Sequence, residues 1–279
     1  MIYLVLNILL SSSFILTFRW LQQRADDILT VGAINYIIGG LFAAAVFFSQ
    51  DDPAYSTVSG FAGAANGTGY FVGFFLLLAI MTWKGAAITA VFTRLSILIP
   101  MAGGILIWQE CPTRGQWLGI SLGCLSLALI STRGRQVASA KSPAYVPLII
   151  VAFFLASGGS RFVQEAFKHE GNQTEQPAYL LAVFGLAGLA SLLMMVARRK
   201  GPTLTELTIG AFVGLANVLQ VWCTLKALES YDGFVVFPVT SAGGLLFTAM
   251  VAVIFLHERL TRVSYGGIVM AVCSMALLR

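Results

Sequence analysis

The chain has 279 residues, 58% hydrophobic and only 10% charged, with 17 Lys and Arg against 12 Asp and Glu for a net charge of +5. A water-soluble domain carries roughly a quarter of its residues as Asp, Glu, Lys and Arg, so this composition excludes a soluble globule and leaves the outer surface to face lipid. A spanning helix takes ~20 apolar residues; ten spans would leave little chain over, and the basic excess points to loops beside a bilayer rather than to nucleic acid.

Apolar runs separated by charged or Gly/Pro-containing breaks predict ten spans, at residues 2–20, 28–48, 58–80, 86–108, 116–132, 144–166, 178–197, 206–227, 233–256 and 263–278. The breaks carry Asp26-Asp27, Asp51-Asp52-Pro53, Lys84-Gly85, Arg133-Gly134-Arg135, Arg198-Arg199-Lys200 and His257-Glu258-Arg259. The first run lacks the basic residues and cleavage site of a secretory signal, so it is expected to be retained. Cys111, Cys124, Cys223 and Cys273 have no paired spacing and read as lone thiols.

Polar residues inside these runs are the functional candidates, because a buried polar group needs a partner. The first span has Ser11-Ser12-Ser13 but no acid, which leaves proton coupling through a mid-span carboxylate unsupported. Asn35 and Tyr36 fall in the second span, and Asn66 and Tyr70 in the third. Arg94 lies about three residues from the centre of the fourth, roughly 5 Å along a helix axis. An ionisable group at that depth faces the protein interior or water and marks a functional position by default; the structural alternative is an arginine clamping backbone carbonyls at a Pro100 kink. Thr89, Thr93, Ser96 and Pro100 follow the i, i+4, i+7, i+11 spacing of one helix face.

Glu110 is expected to close a structural turn, pairing locally with Arg114, and Thr113 with Gln116 has the spacing of a capping box. In the sixth span Ser157 and Ser160 precede Arg161, which with Glu165 four residues on forms either a gate ion pair or two snorkelling side chains. Asn217 and Gln220 in the eighth span, with the earlier amides and phenols, would orient a bound molecule or bond between helices. Phe237, Ser241, Gly244 and Thr248 are the ninth-span counterparts of the Arg94 face, and Glu258 and Thr261 repeat the Glu110 turn.

That counterpart relation is an internal repeat. At an offset of 148, residues 78–128 and 226–276 align without a gap, with 11 of 51 positions identical, including Glu110/Glu258, Thr113/Thr261, Arg114/Arg262, Gly119/Gly267 and Ser126/Ser274. The same offset pairs Ser12 with Ser160 and Gly40-Leu41 with Gly188-Leu189. Five spans per copy is an odd number, so the second copy would enter the membrane from the opposite side, as in secondary transporters whose substrate site lies between inverted repeats.

Each copy ends in a long span, a glutamate, a Thr/Arg turn and a glycine-containing span: residues 108–119 read WQECPTRGQWLG and residues 256–267 read LHERLTRVSYGG. This resembles the twin motif of the drug/metabolite transporter superfamily, in its ten-helix EamA-type branch, with Cys111 and Pro112 as a departure in the first copy. The resemblance implies an all-α membrane protein of two five-helix repeats, residues 1–135 and 144–279, forming one transport domain. It implies a transporter rather than an enzyme, with no cofactor or metal, a small-molecule substrate, a lipid bilayer as surroundings and a monomeric or homodimeric state. The substrate expected is a small polar or anionic metabolite, with Arg94 as the anion contact and Thr89, Thr93, Tyr36, Asn66, Tyr70, Ser160, Asn217, Gln220 and Ser241 around it. An open channel or scramblase and, more weakly, an intramembrane lipid-phosphate enzyme are the alternatives. Eleven basic residues on odd-numbered connections predict both termini outside the cytoplasm of a bacterial inner membrane, whereas the resemblance implies both inside.

Overall fold

The computed structural model describes residues 1–21, 27–131, 145–199, 201–255 and 262–278. The protein is all-helical, 87% helix, with no strand among the described residues. The helices are α1 (Ile2–Leu21), α2 (Ile28–Phe48), α3 (Thr57–Leu95), α4 (Leu98–Leu106), α5 (Arg114–Ser131), α6 (Val146–Glu170), α7 (Gln176–Arg198), α8 (Leu204–Leu228), α9 (Gly233–Phe255) and α10 (Arg262–Leu277). Five stretches are long and apolar enough to cross a membrane: Ile28–Phe48, Thr57–Trp83, Val146–Glu170, Gln173–Arg198 and Leu204–Leu228. Their outward stripes are apolar, as on α6, where Leu148, Val151 and Leu155 are exposed at helical spacing.

One boundary is corrected. The break expected at Lys84-Gly85 does not occur; α3 runs through it for 39 residues, and the chain turns instead at Ser96-Ile97. A lone glycine costs a helix only about 1 kcal/mol. Pro100 costs more, because its ring clashes with the carbonyl four residues back, that of Ser96, and it has no N–H to offer that carbonyl. The new helix starts at Leu98, which puts Pro100 in the first turn, where a missing donor is harmless.

The chain forms two compact units, and the division falls within α3 and α6. The first comprises Met1–Phe71 and Val163–Ser230, the second Val72–Phe162 and Tyr231–Arg279. In the first unit α2 packs on α7 and α8, and α1 on α8. The α2/α7 contact is antiparallel and backbone-close. A Cβ at Gly40 would stand 2.9 Å from the Phe184 carbonyl oxygen, and one at Gly188 would stand 2.8 Å from that of Tyr36. Phe184 is the offset-148 counterpart of Tyr36, so the two contacts are reciprocal images. A second pair matches with the glycines one residue out of that offset: Gly63 and Gly67 of α3 lie on the Tyr179 and Val183 carbonyls of α7, while Gly210 and Gly214 of α8, 147 residues on, lie on the Val31 and Asn35 carbonyls of α2. Residues 179 and 183 are the images of 31 and 35.

The ends of this unit are tied by polar contacts. Asp27 caps α2 through the Leu29 amide, bridges to Arg198 at 2.9 Å and donates its own amide to Glu206. Glu206 also completes a capping box with Thr203 at the start of α8. Elsewhere in the unit Gln176 donates to Glu229, which also accepts from Lys226, and the Ser56 hydroxyl donates to Glu175. In the second unit α5 packs on α10, and α9 on α4, α5 and α10. The Ser274 hydroxyl donates to the Gly119 carbonyl at 2.7 Å.

Candidate functional site

The expected site residues fall into two groups, one in each unit. In the first unit they form a neutral phenol and amide network on α2, α3, α6, α7 and α8. The Tyr36 hydroxyl donates to the Tyr70 carbonyl at 3.0 Å, and Gln164 Nε2 donates to the Tyr70 hydroxyl at 3.0 Å. Asn66 Nδ2 donates to the Tyr179 hydroxyl at 2.7 Å, and the Tyr179 ring stacks on Phe167 with centroids 4.4 Å apart. Asn217 Nδ2 donates to Asn35 Oδ1 at 3.1 Å. Asn35, Asn66 and Asn217 are thus engaged in bonds between helices. Within these amide pairs Asn66 Oδ1 and Asn35 Nδ2 are buried without a hydrogen-bond partner among the described residues.

Gln220 contributes its backbone carbonyl, which accepts from Asn7 Nδ2; Asn7 also donates to Thr224 Oγ1 at 2.7 Å. Glu165, fully buried, faces Lys168 at 3.4 Å and His169 at 3.3 Å on its own helix. A cavity of about 340 Å³ opens between the first turns of α3 and the last turns of α6, lined by Phe61, Ala62, Ala166 and Phe167, with Glu170 among the lining side chains. Phe167 joins its wall to the Tyr179–Asn66 pair.

The second unit holds the arginines. Arg94, in the last turn of α3, is half-buried and donates from one terminal nitrogen to the Ser241 carbonyl of α9. The carbonyl clamped is therefore on another helix and not at the Pro100 kink. Arg161 of α6 donates to the Thr93 carbonyl at 3.2 Å, to the Ser96 hydroxyl and to the Ser157 hydroxyl at 3.3 Å. The last carbonyls of a helix lack partners and favour a cation nearby, so Arg161 closes the end of α3. Ser96 and Ser157 are 3.1 Å apart, and Gly158 packs so tightly that a Cβ would meet the Ser96 carbonyl oxygen at 2.7 Å.

The expected continuous face of Thr89, Thr93, Ser96 and Pro100 is corrected by this break. Thr93 turns its hydroxyl to the Thr89 carbonyl and Ser96 turns its own to the Thr93 carbonyl. Ser160 is 4% exposed, and its hydroxyl has no hydrogen-bond partner among the described residues.

The Glu110 turn is part structural box and part surprise. Thr113 and Gln116 make the reciprocal capping bonds, at 2.9 and 3.3 Å. Arg114, by contrast, is exposed and unpaired among the described residues, which corrects the expected local pair with Glu110. The Glu110 amide donates to the Gly104 carbonyl, and its carboxylate lies where a Gly104 Cβ would be. Glu258 and Thr261 lie outside the described residues.

Sequence reading missed Tyr179, Gln164 and Asn7. Tyr179 opens its helix beside Gln176 and Pro177, where a tyrosine reads as an interface anchor. Asn7 alone had a usable signal, an amide inside an apolar run.

No family model matches the chain. It is similar to an uncharacterized protein of Haemophilus influenzae, 22% identical over 205 residues that cover 72% of this chain and 69% of that one. It shares its fold with a solved crystal structure at a TM-score of 0.73, covering 99% of this chain and 94% of that chain at 16% identity.

Proposed function

We propose that the chain is a secondary transporter of the EamA-type branch of the drug/metabolite transporter superfamily. On this reading ten spans form two inverted five-helix repeats and carry a small polar or anionic metabolite across a bacterial inner membrane by alternating access. The observation that carries it is the reciprocal packing at the offset of 148, Gly40 on the Phe184 carbonyl and Gly188 on the Tyr36 carbonyl. Antiparallel contact between counterpart helices is what inverted repeats require. The Glu-x-x-Thr-Arg twin supports the family, and the similarity to a bacterial protein supports the location. Arg94 is the anion contact in this reading.

The test has two arms. Single cysteines placed at the start of α2 and at the start of α7, its counterpart, are expected to label from opposite faces of the membrane; labelling from one face overturns the inverted repeat. Proteoliposomes preloaded from a metabolite mixture are expected to show saturable counterflow, lost in Arg94→Ala. Linear flux without exchange would mean a channel, and a chemically altered solute an enzyme.

A further inference from the structure

This inference needs a bilayer around the first unit and no particular solute. We propose that the cavity between the first turns of α3 and the last turns of α6 holds an acyl chain of a phospholipid whose ammonium headgroup meets Glu170. The residues lining it all belong to the first unit.

Comparison of the two copies locates the gap. α1 packs on α8 with Phe18 buried. Their counterparts are α6 and α3, and the offset of 148 puts Ala166 where the first copy has Phe18. An alanine lacks the ring, and the cavity beside it measures about 340 Å³, in the range of small-molecule sites at ~300–1,000 Å³. Side chains lining a void forfeit their dispersion contacts on that side, so an apolar chain that enters it is held by contact.

The position of the cavity identifies its occupant as an amphiphile. Thr57, on its wall, is the first residue of α3, and Glu170 is the last of α6. Both helices carry stretches long and apolar enough to cross a membrane, so these ends stand at headgroup level. Tyr55 is exposed beside the same turn, its hydroxyl 2.9 Å from where a Gly60 Cβ would be, and tyrosine is enriched at that level. From Thr57 to Ala62 the wall descends about 7.5 Å along a helix axis. Below the mouth the walls are apolar: Phe61 is exposed on one side, and Phe167 on the other is buried and stacked on Tyr179.

Tails alone do not select a lipid, because they are as apolar as the leucines around them. The headgroup does. Glu170 brings a carboxylate to the wall, while the two bases before it face Glu165, Lys168 at 3.4 Å and His169 at 3.3 Å. A carboxylate at the mouth favours an ammonium and opposes a purely anionic headgroup. Phosphatidylethanolamine and phosphatidylglycerol share the phosphate, and the first alone has the ammonium.

The probe is a nanodisc of equimolar phosphatidylethanolamine and phosphatidylglycerol with the same acyl chains, holding the full chain. Native mass spectrometry counts the lipids that stay bound when the protein is released. Retained phosphatidylethanolamine is expected in about two- to fivefold excess, the usual worth of an exposed ion pair. Glu170→Gln should bring that ratio to about one. Ala166→Phe, which restores the ring of the first copy, should abolish the retention. Should Ala166→Phe fail to fold, Glu170→Gln decides alone, since Glu170 is exposed. Equal retention of both lipids by the unaltered chain, an unchanged ratio in Glu170→Gln, or unchanged retention in Ala166→Phe overturns the proposal. So does a dimer that Ala166→Phe disperses, which would put a second copy in the cavity. Retention without counterflow would keep this site and sink the transporter, whereas counterflow without retention would do the reverse.

Discussion

Two stretches of the second unit stand at matched positions of the repeat and behave differently. Around Ser96 the helix stops, turns at Ile97 and restarts as α4; around Gly244, the counterpart of Ser96, α9 continues unbroken. The residue four places on decides it. Pro100 cannot donate to the Ser96 carbonyl and collides with it, whereas Thr248 leaves the backbone bond possible and adds a hydroxyl that donates to the Gly244 carbonyl at 2.6 Å. The broken copy needs outside help, and α6 brings it through Ser157, Gly158 and Arg161. At this position the proline coincides with an end that another helix finishes, whereas α9 runs on through Pro238 near its start.

The largest test of that contrast is to break the intact copy. Thr248→Pro should destabilise the protein by ~3 kcal/mol or more, seen as a lowered denaturant midpoint in detergent, since it places a proline inside a continuous helix. Removing the existing cap comes next. Arg161→Ala leaves the Thr93 carbonyl and two serine hydroxyls without their charged donor, and about 2–3 kcal/mol is expected from the usual worth of hydrogen bonds to a charge. The same measurement with Arg161→Lys should recover only part, because one ammonium cannot replace a planar fork. The smallest effect belongs to Pro100→Ala, within ~1 kcal/mol, because the break is already stapled by α6 and proline in a first turn is unstrained. A loss above 3 kcal/mol there would mean that proline itself, and not the arginine, holds the turn.

These details mark how far the sequence could be read. Among the described residues nine of the ten apolar runs fall on single helices to within a residue at their ends, and the fourth is split between α3 and α4, because hydrophobic length dictates a helix wherever water is absent to satisfy the backbone. The break between the third and fourth runs was misplaced by about a dozen residues, since Lys84-Gly85 looks like a loop in composition but costs less than Pro100 in energy. The capping box at Thr113 was legible because it is local. The partners of Arg94, Asn66 and Asn217 were not, because each lies on a helix more than 100 residues away and nothing in a local pattern says which helix that will be. Ser160 was nameable as a candidate, but its lack of a partner is a property of packing.

The close seam between α2 and α7 has a mechanical consequence. Where main chain lies against main chain, there is no cushion of rotatable groups to re-sort when a force is applied. A slip of one residue would drive the Leu41 or Leu189 side chain into the opposite strand of carbonyls, so the two rods are locked in register like ratchet teeth. Any bending of the first unit must leave that joint untouched.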